Sequence, residues 1–228
     1  MATETPVLER ERGLDELRAD IDRRPPPPPD EAGGDPGPSR DPERRPLIEN
    51  ATIGMLIFLA AETMLFTGLV AAFLVLRLGT PVWPPPLQPR LPIEATGVNT
   101  LFLLGSSFTM VRALRAIRRG DQAGLVRGLG LTTVLGAIFL GVQGYEWGRL
   151  VHFGLTVSSG AYGTTFYTLI GAHGLHVLAA VTLLLVVLVR AKRGCFSPQG
   201  HTAVRVSGMF WHYVVGVWPI LYTLVYLR

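Results

Sequence analysis

The chain has 228 residues, of which 48% are hydrophobic and 17% are charged, and its formal net charge is +4 at pH 7. The first fifty residues carry 13 acidic and 8 basic side chains, and the rest of the chain carries 4 acidic and 13 basic ones. Because the positive charge lies in short segments between long apolar stretches, it indicates the loops of a membrane protein and excludes a nucleic-acid-binding surface. Cys195 is the single cysteine, which excludes an internal disulfide and a cysteine-based metal cluster.

The N-terminal segment, residues 1–49, is rich in proline, glycine and charged residues. Residues 25–29 are five consecutive prolines, which favour polyproline II structure, and the surrounding sequence is too polar to bury a core. We therefore expect a disordered cytoplasmic tail. A partner-docking arm is the alternative interpretation.

Five apolar stretches follow, approximately residues 51–76, 95–114, 129–151, 162–189 and 206–227. Each has the length of about 20 residues that crosses a hydrocarbon core of about 30 Å. The sequence therefore predicts an all-α polytopic membrane protein. It comprises a bundle of five transmembrane helices in residues 50–228 and a disordered N-terminal tail.

Basic residues in the loops predict the orientation of the bundle. The loops between the second and third stretches and between the fourth and fifth are rich in arginine, and Asp121 is their one acid. Because loops rich in Lys and Arg remain in the cytoplasm, both of these loops are expected there. With five spans, the N-terminus then lies in the cytoplasm and the C-terminus outside.

Three ionisable residues lie near the middle of the predicted spans. Glu62 lies about eleven residues, or roughly 17 Å, into the first span, where an ionised carboxylate costs about 3 kcal/mol. His173 and His176 lie at a similar depth and share one face of the fourth helix. We expect the two helices to touch there, with Glu62, His173 and His176 forming a buried polar cluster in which a Glu–His contact stabilises the acid. A metal or haem site is the alternative, but it needs further ligands at the same level.

Glu146 lies between two aromatic residues near the outer end of the third span. Tyr and Trp at this position are typical of the aromatic belt at a membrane interface. We therefore expect Glu146 to be a carboxylate that reaches solvent at this interface.

Each span carries a sequence motif, and the motifs follow one another in order. They are Gly54-x-x-x-Phe58-Leu59-x-x-Glu62-x-x-x-Phe66, Asn99-Thr100 with Leu103-Leu104-Gly105-Ser106-Ser107, Gln143-x-x-Glu146-Trp147, Gly171-x-His173-Gly174-x-His176-Val177, and Trp211-His212-Tyr213-Val214 with Trp218. Together they resemble subunit III of the haem-copper oxidases, a cytochrome c oxidase subunit 3, in its short five-helix bacterial form.

The resemblance implies a multi-pass protein of the bacterial cell membrane, a subunit of a proton-translocating cytochrome c oxidase that reduces oxygen to water. The chain itself would be non-redox and not catalytic, without a cofactor or metal of its own, and haem and copper would lie in the partner catalytic subunits. It would contact subunit I directly, together with subunit II, other respiratory-complex subunits and membrane lipids. Its roles would be to stabilise the catalytic subunit, to support proton uptake and to bind phospholipids.

The resemblance also implies roles for particular residues. One group is expected to fix helices or interfaces: Trp211, His212, Trp218 and Glu146. A second group, in the cytoplasmic loops, is expected to contact lipid headgroups: Arg112, Arg118, Arg119 and Arg193.

Two positions depart from the family pattern. Val215 stands where family members usually have an acid, so the role of that acid cannot be transferred to this chain. Pro219 lies inside the last span, where it is expected to kink the helix. Three alternatives stay open: a subunit III-like accessory protein of a nitric oxide reductase, a stand-alone small transporter or proton channel, and a haem-binding membrane anchor.

Overall fold

The computed structural model describes residues 50–83 and 93–227. This part of the chain forms five α-helices and no strand: α1 (Asn50–Leu78), α2 (Ile93–Arg118), α3 (Gln122–His152), α4 (Gly160–Lys192) and α5 (Thr202–Tyr226). All five are long and apolar enough to cross a membrane, which confirms the predicted all-α polytopic bundle. The predicted N-terminal tail lies outside the described residues.

The helices extend beyond the predicted spans, most clearly between α2 and α3. The predicted loop of some fourteen residues is a turn of three, residues 119–121, because α2 continues to Arg118 and α3 begins at Gln122. Gly120 adopts the left-handed conformation (φ 77°), and Asp121 caps α3 by accepting a hydrogen bond from the Gly124 backbone N–H at 2.8 Å. Most arginines that were expected in this loop therefore lie on helices.

Four of the helices form a closed ring. Helices α2, α3, α4 and α5 pack in chain order, and α5 packs back against α2. Among the described helices, α1 packs only against α4 and α5, and its buried residues are Phe66 and Phe73. Most of its other side chains are exposed and apolar, which a hydrocarbon environment tolerates. Helix α1 is therefore an outer helix that lies in the groove between α4 and α5.

Small residues allow the helices of the ring to approach closely. A Cβ atom added at Gly128 would lie 2.7 Å from Cβ of Ala113, so α2 and α3 are almost in backbone contact there. A Cβ at Gly136 would lie 2.5 Å from Cη2 of Trp211, so the indole of α5 lies directly on α3. Such glycines are typical of close helix interfaces in membranes.

Helix α5 continues through Pro219 without interruption. Proline has no backbone N–H, so the carbonyl four residues earlier, that of Val215, loses its intrahelical donor. The side chain of Val215 is buried in the apolar core.

Candidate functional site

Glu62 of α1 and His176 of α4 are in direct contact. Oε2 of Glu62 lies 2.8 Å from Nε2 of His176, and the side chains are 15% and 16% exposed, respectively. The other ring nitrogen, Nδ1, lies 2.7 Å from the carbonyl oxygen of Ala172, one turn earlier. The contact between the first and fourth helices that the sequence predicted at this depth is therefore present.

The hydrogen bonds of His176 determine where its proton lies. A carbonyl oxygen can only accept, so Nδ1 must carry hydrogen and donate to Ala172. Nε2 then either accepts from a protonated Glu62 or, in an imidazolium, donates to the Glu62 carboxylate. In both forms the Nε2–Oε2 contact holds one proton and the pair has no net charge. The pair thus avoids the cost of a lone carboxylate in the membrane.

His173 lies one turn before His176 but does not join the pair. It is 1% exposed, and its ring stacks on the indole of Trp218 with the centroids 5.0 Å apart and the planes at 26°. Neither ring nitrogen has a hydrogen-bond partner among the described residues. The ring of Phe66 packs edge to face on both histidines, with its centroid 6.3 Å from that of His173 and 5.1 Å from that of His176. The structure thus brings together two of the three expected cluster residues and places the third in an aromatic site beside them.

Two tryptophans of α5 donate hydrogen bonds to hydroxyl groups of α2. Nε1 of Trp211 lies 3.1 Å from Oγ of Ser106, and Nε1 of Trp218 lies 2.8 Å from Oγ1 of Thr100. Both indoles are fully buried. A slide or rotation of α5 against α2 would leave these N–H groups buried without an acceptor, which is costly.

His212, which follows Trp211, makes a third contact between the same two helices. Its Nδ1 lies 2.6 Å from Oγ of Ser107. The imidazole is half-buried and faces the groove between α5 and α1, where Thr63 and Thr67 also lie. Three polar side chains of α2 therefore provide hydrogen-bond partners for Trp211, His212 and Trp218 of α5.

Glu146 is buried, so the expectation of a solvated carboxylate at the interface is wrong. The residue is 6% exposed, and its Oε1 lies 3.4 Å from Nη1 of Arg149, whose side chain is 51% exposed. Gln143, Glu146 and Leu150 are all buried and repeat at helical spacing, so this face of α3 points into the bundle. On the same face, Nε2 of Gln143 donates to the hydroxyl of Tyr226 at 3.1 Å.

The four arginines expected to contact lipid headgroups do not lie together. Arg112 and Arg119 line a cavity between α2 and α3, whereas Arg118 and Arg193 are exposed and do not line it. Two further arginines, which are not among the four expected to contact lipid headgroups, line the same cavity: Arg115 and Arg127. The spacing of 112, 115 and 119 places these residues on one helical face, which could have shown that they act together.

Within residues 50–83 and 93–227, no three His, Cys, Asp or Glu side chains lie close enough to hold a metal ion. His173, which is buried, packs among aromatic rings instead. The fold and the site thus define a polytopic helical membrane protein whose deeply placed Glu62 is paired with a histidine.

Comparison with known proteins identifies the family. Residues 44–228 match the family model described as cytochrome c oxidase subunit III. Cytochrome c oxidase subunit 3 of Synechocystis sp. is 40% identical over 175 residues, which cover 76% of this chain and 74% of the relative. The subunit 3 proteins of Thermostichus vulcanus and Bacillus subtilis are each 37% identical, over 176 and 183 residues, and 86% of each relative is covered.

The chain therefore belongs to the cytochrome c oxidase subunit III family, as its motifs indicated. It is a subunit of a respiratory terminal oxidase in a bacterial membrane. The names of the relatives give no support to the alternatives of a nitric oxide reductase accessory protein or a stand-alone transporter.

Proposed function

We propose that this chain is the non-redox, non-catalytic subunit of the oxidase, which stabilises catalytic subunit I and supports its proton uptake. Subunit I is its direct partner, with subunit II nearby, and the haem and copper centres lie in these partner subunits. The observation that carries the proposal is the Glu62–His176 contact of 2.8 Å, because this pair holds one proton inside the membrane without a net charge.

The stabilising role is supported by the way the bundle is held together. The indoles of Trp211 and Trp218 fix α5 on α2, and the imidazole of His212 adds a third contact. Buried hydrogen bonds of this kind specify one arrangement of the helices. A closed ring of four helices, with α1 held in an outer groove, is suited to supporting a larger partner.

Co-purification of haem with this chain tests the assignment. The chain carries a tag, the oxidase is isolated from membranes in mild detergent, and a reduced-minus-oxidised spectrum is recorded before and after the partners are stripped. We expect haem bands in the first sample and none in the second. Bands that remain with the stripped chain would show that it binds haem itself, and a first sample without bands would refute its place in an oxidase.

We further propose that the N-terminus is cytoplasmic and the C-terminus outside. Arg190, Lys192 and Arg193, close to the α4–α5 connection, support this orientation through the positive-inside rule. Cys195 in that connection is exposed and is the single cysteine of the chain, so it is a native topology probe.

The test of orientation is labelling with a membrane-impermeant maleimide. Cys195 should react in inside-out vesicles and be protected in intact cells. The matched control is the double variant Cys195→Ser/Ser158→Cys, because Ser158 is exposed in the connection between α3 and α4, on the opposite side. Its labelling should be reversed, and labelling of Cys195 in intact cells would refute the orientation.

A further inference from the structure

A second cavity, of about 370 Å³, lies between α3 and α4, and the buried indole of Trp218 from α5 forms part of its wall. Its size falls within the range of about 300–1,000 Å³ that small-molecule sites occupy in proteins. The lining consists of aromatic, aliphatic and glycine residues, apart from Gln143 and His173. Leu175 and Leu178 line it and are exposed, so the cavity opens sideways toward the hydrocarbon of the membrane.

Glycines on both helices leave room for this cavity. The indole of Trp147 from α3 lies against two glycines of α4, because a Cβ at Gly174 would lie 3.0 Å from its Cη2 atom and a Cβ at Gly171 would lie 3.9 Å from it. On α3, a Cβ at Gly144 would have no atom within 4 Å. A ligand in the cavity can therefore approach the backbone of both helices closely.

Two side chains of the lining carry buried polar atoms without a hydrogen-bond partner among the described residues. They are both ring nitrogens of His173 and Nε1 of Trp147. A buried polar group without a partner costs about 1–3 kcal/mol, and such groups are rare in proteins. A water molecule occupies only about 30 Å³, so it would leave most of this apolar space unfilled. The unpaired nitrogens therefore indicate a larger ligand that carries polar atoms of its own.

The lining determines which polar atoms the ligand carries. The indole N–H of Trp147 can only donate, whereas a neutral imidazole has one donor and one acceptor nitrogen. Among the described residues of the lining there is no Asp, Glu, Lys or Arg, so a charged ligand would have no counter-ion there. The ligand is therefore uncharged, and carbonyl or hydroxyl oxygens pair with Trp147 and His173.

The shape of the cavity favours a flat ring with an apolar chain. Phe139, Trp147 and Trp218 line it, and aromatic side chains pack on flat rings by offset stacking or by edge-to-face contact. Leu175 and Leu178, which are 65% and 48% exposed, lie one turn apart on α4. They form an apolar path from the cavity to the hydrocarbon.

We propose that this cavity binds the head ring of a membrane quinone, with its apolar chain along Leu175 and Leu178. A quinone carbonyl accepts a hydrogen bond from His173 or Trp147, and a hydroxyl of the quinol form donates to the acceptor nitrogen of His173. The acyl chain of a phospholipid would leave all three nitrogens unpaired. The proposal goes beyond the role in oxidase assembly, because it concerns binding of quinone by this chain and adds no electron-transfer step.

Photolabelling of the intact oxidase tests the site. The complex is isolated in mild detergent through a tag on this chain, illuminated with an azido derivative of decylubiquinone and digested, and the label on this chain is quantified by mass spectrometry. We expect label on peptides of α3 and α4, and its loss when unmodified decylubiquinone is present in excess.

Two variants with one matched control make the test specific. Gly144→Leu fills the cavity from α3 and should lower the label about tenfold, since the ring no longer reaches its partners. Gly141→Leu is the control, because Gly141 is also exposed on α3 with no atom within 4 Å of an added Cβ but does not line the cavity. His173→Phe keeps a ring against Trp218 and removes both nitrogens. It should lower the label about tenfold, whereas the thermal midpoint without added quinone should stay the same or rise.

Three outcomes would overturn the proposal. Equal label in Gly144→Leu and Gly141→Leu would show that the cavity holds no quinone. Undiminished label in His173→Phe would show that the imidazole does not bind the ring. Competition by decane as strong as that by decylubiquinone would show a groove for any apolar chain. The ratio of haem to this chain in each preparation reports assembly, so a failure of the oxidase assignment is detected separately.

Discussion

Replacement of Glu62 by glutamine tests whether the Glu62–His176 pair holds a proton or only holds α1 in place. Glutamine has the size of glutamate, and its amide N–H can donate to Nε2 of a neutral His176 across the same 2.8 Å. Nδ1 can still donate to the carbonyl of Ala172. The variant therefore keeps both hydrogen bonds of the imidazole and removes the carboxyl group that exchanges a proton.

The expected energies follow from these contacts. Glu62→Gln exchanges one hydrogen bond for another, so we expect a loss of about 1 kcal/mol or less. Glu62→Ala leaves Nε2 of His176 without a partner in a site that is 16% exposed, which costs about 1–3 kcal/mol. Because α1 packs only against α4 and α5 among the described helices, this loss should appear as weaker attachment of α1.

Two measurements on the assembled oxidase distinguish a role of Glu62 in proton transfer from a role in attaching α1. The ratio of haem to tagged chain reports assembly, and the protons taken up per electron transferred report proton uptake. For Glu62→Gln we expect an unchanged ratio and reduced proton uptake. For Glu62→Ala we expect both to fall. Infrared difference spectra should also lose the carboxyl signal of this pair in both variants.

Two results for Glu62→Gln would contradict these expectations. If Glu62→Gln takes up protons at the wild-type rate, the carboxyl group has no part in proton transfer, and the pair serves only to pack α1. If Glu62→Gln fails to assemble, the structural role of the carboxylate exceeds that of a single hydrogen bond, and the argument from matched hydrogen bonds is wrong.

Two further predictions concern packing and can be measured as thermal midpoints of the oxidase in detergent. Gly136→Ala should destabilise the folded subunit by about 1–3 kcal/mol, because the new Cβ would lie 2.5 Å from Trp211. The control Gly130→Ala should be neutral or slightly stabilising, because no atom lies within 4 Å of its new Cβ. Trp218→Phe should cost about 1–3 kcal/mol more than Trp147→Phe, because the indole N–H of Trp218 has an acceptor and that of Trp147 has none among the described residues. Equal midpoints within either pair would contradict the packing described.

The number of helices could be predicted because the apolar stretches are long enough to cross a membrane and contain few charges. Their ends could not be predicted as well. The arginines between residues 114 and 129 were expected in a loop. A helix can nevertheless continue past the hydrocarbon, because long basic side chains on it extend toward water. The start of α3 at Gln122 depends on the cap formed by Asp121, a local hydrogen bond that hydropathy does not detect.

The partner of Glu62 could be predicted only as one of two histidines. Residues three apart on an α-helix differ in direction by about 60°, so His173 and His176 share a broad face but do not point the same way. The position of the neighbouring helices decides between them. Helix α1 lies beside His176, and the indole of Trp218 from α5 covers His173. Sequence spacing alone holds no information on that choice.

Glu62, in the middle of a helix, has a partner of opposite charge character within the described residues, whereas the arginines of the α2–α3 cavity have none. Glu62, in the middle of α1, pairs with His176 at 2.8 Å and carries no net charge with it. At the α2–α3 turn, the four cavity arginines have no ion-pair partner in the described residues. A carboxylate surrounded by hydrocarbon must be neutralised by the protein itself, since no other partner reaches it. A guanidinium at the end of a helix can meet a phosphate of the surrounding membrane, so its protein partner can be dispensed with. Among the described residues, these arginines can therefore meet an anion that the five helices do not supply.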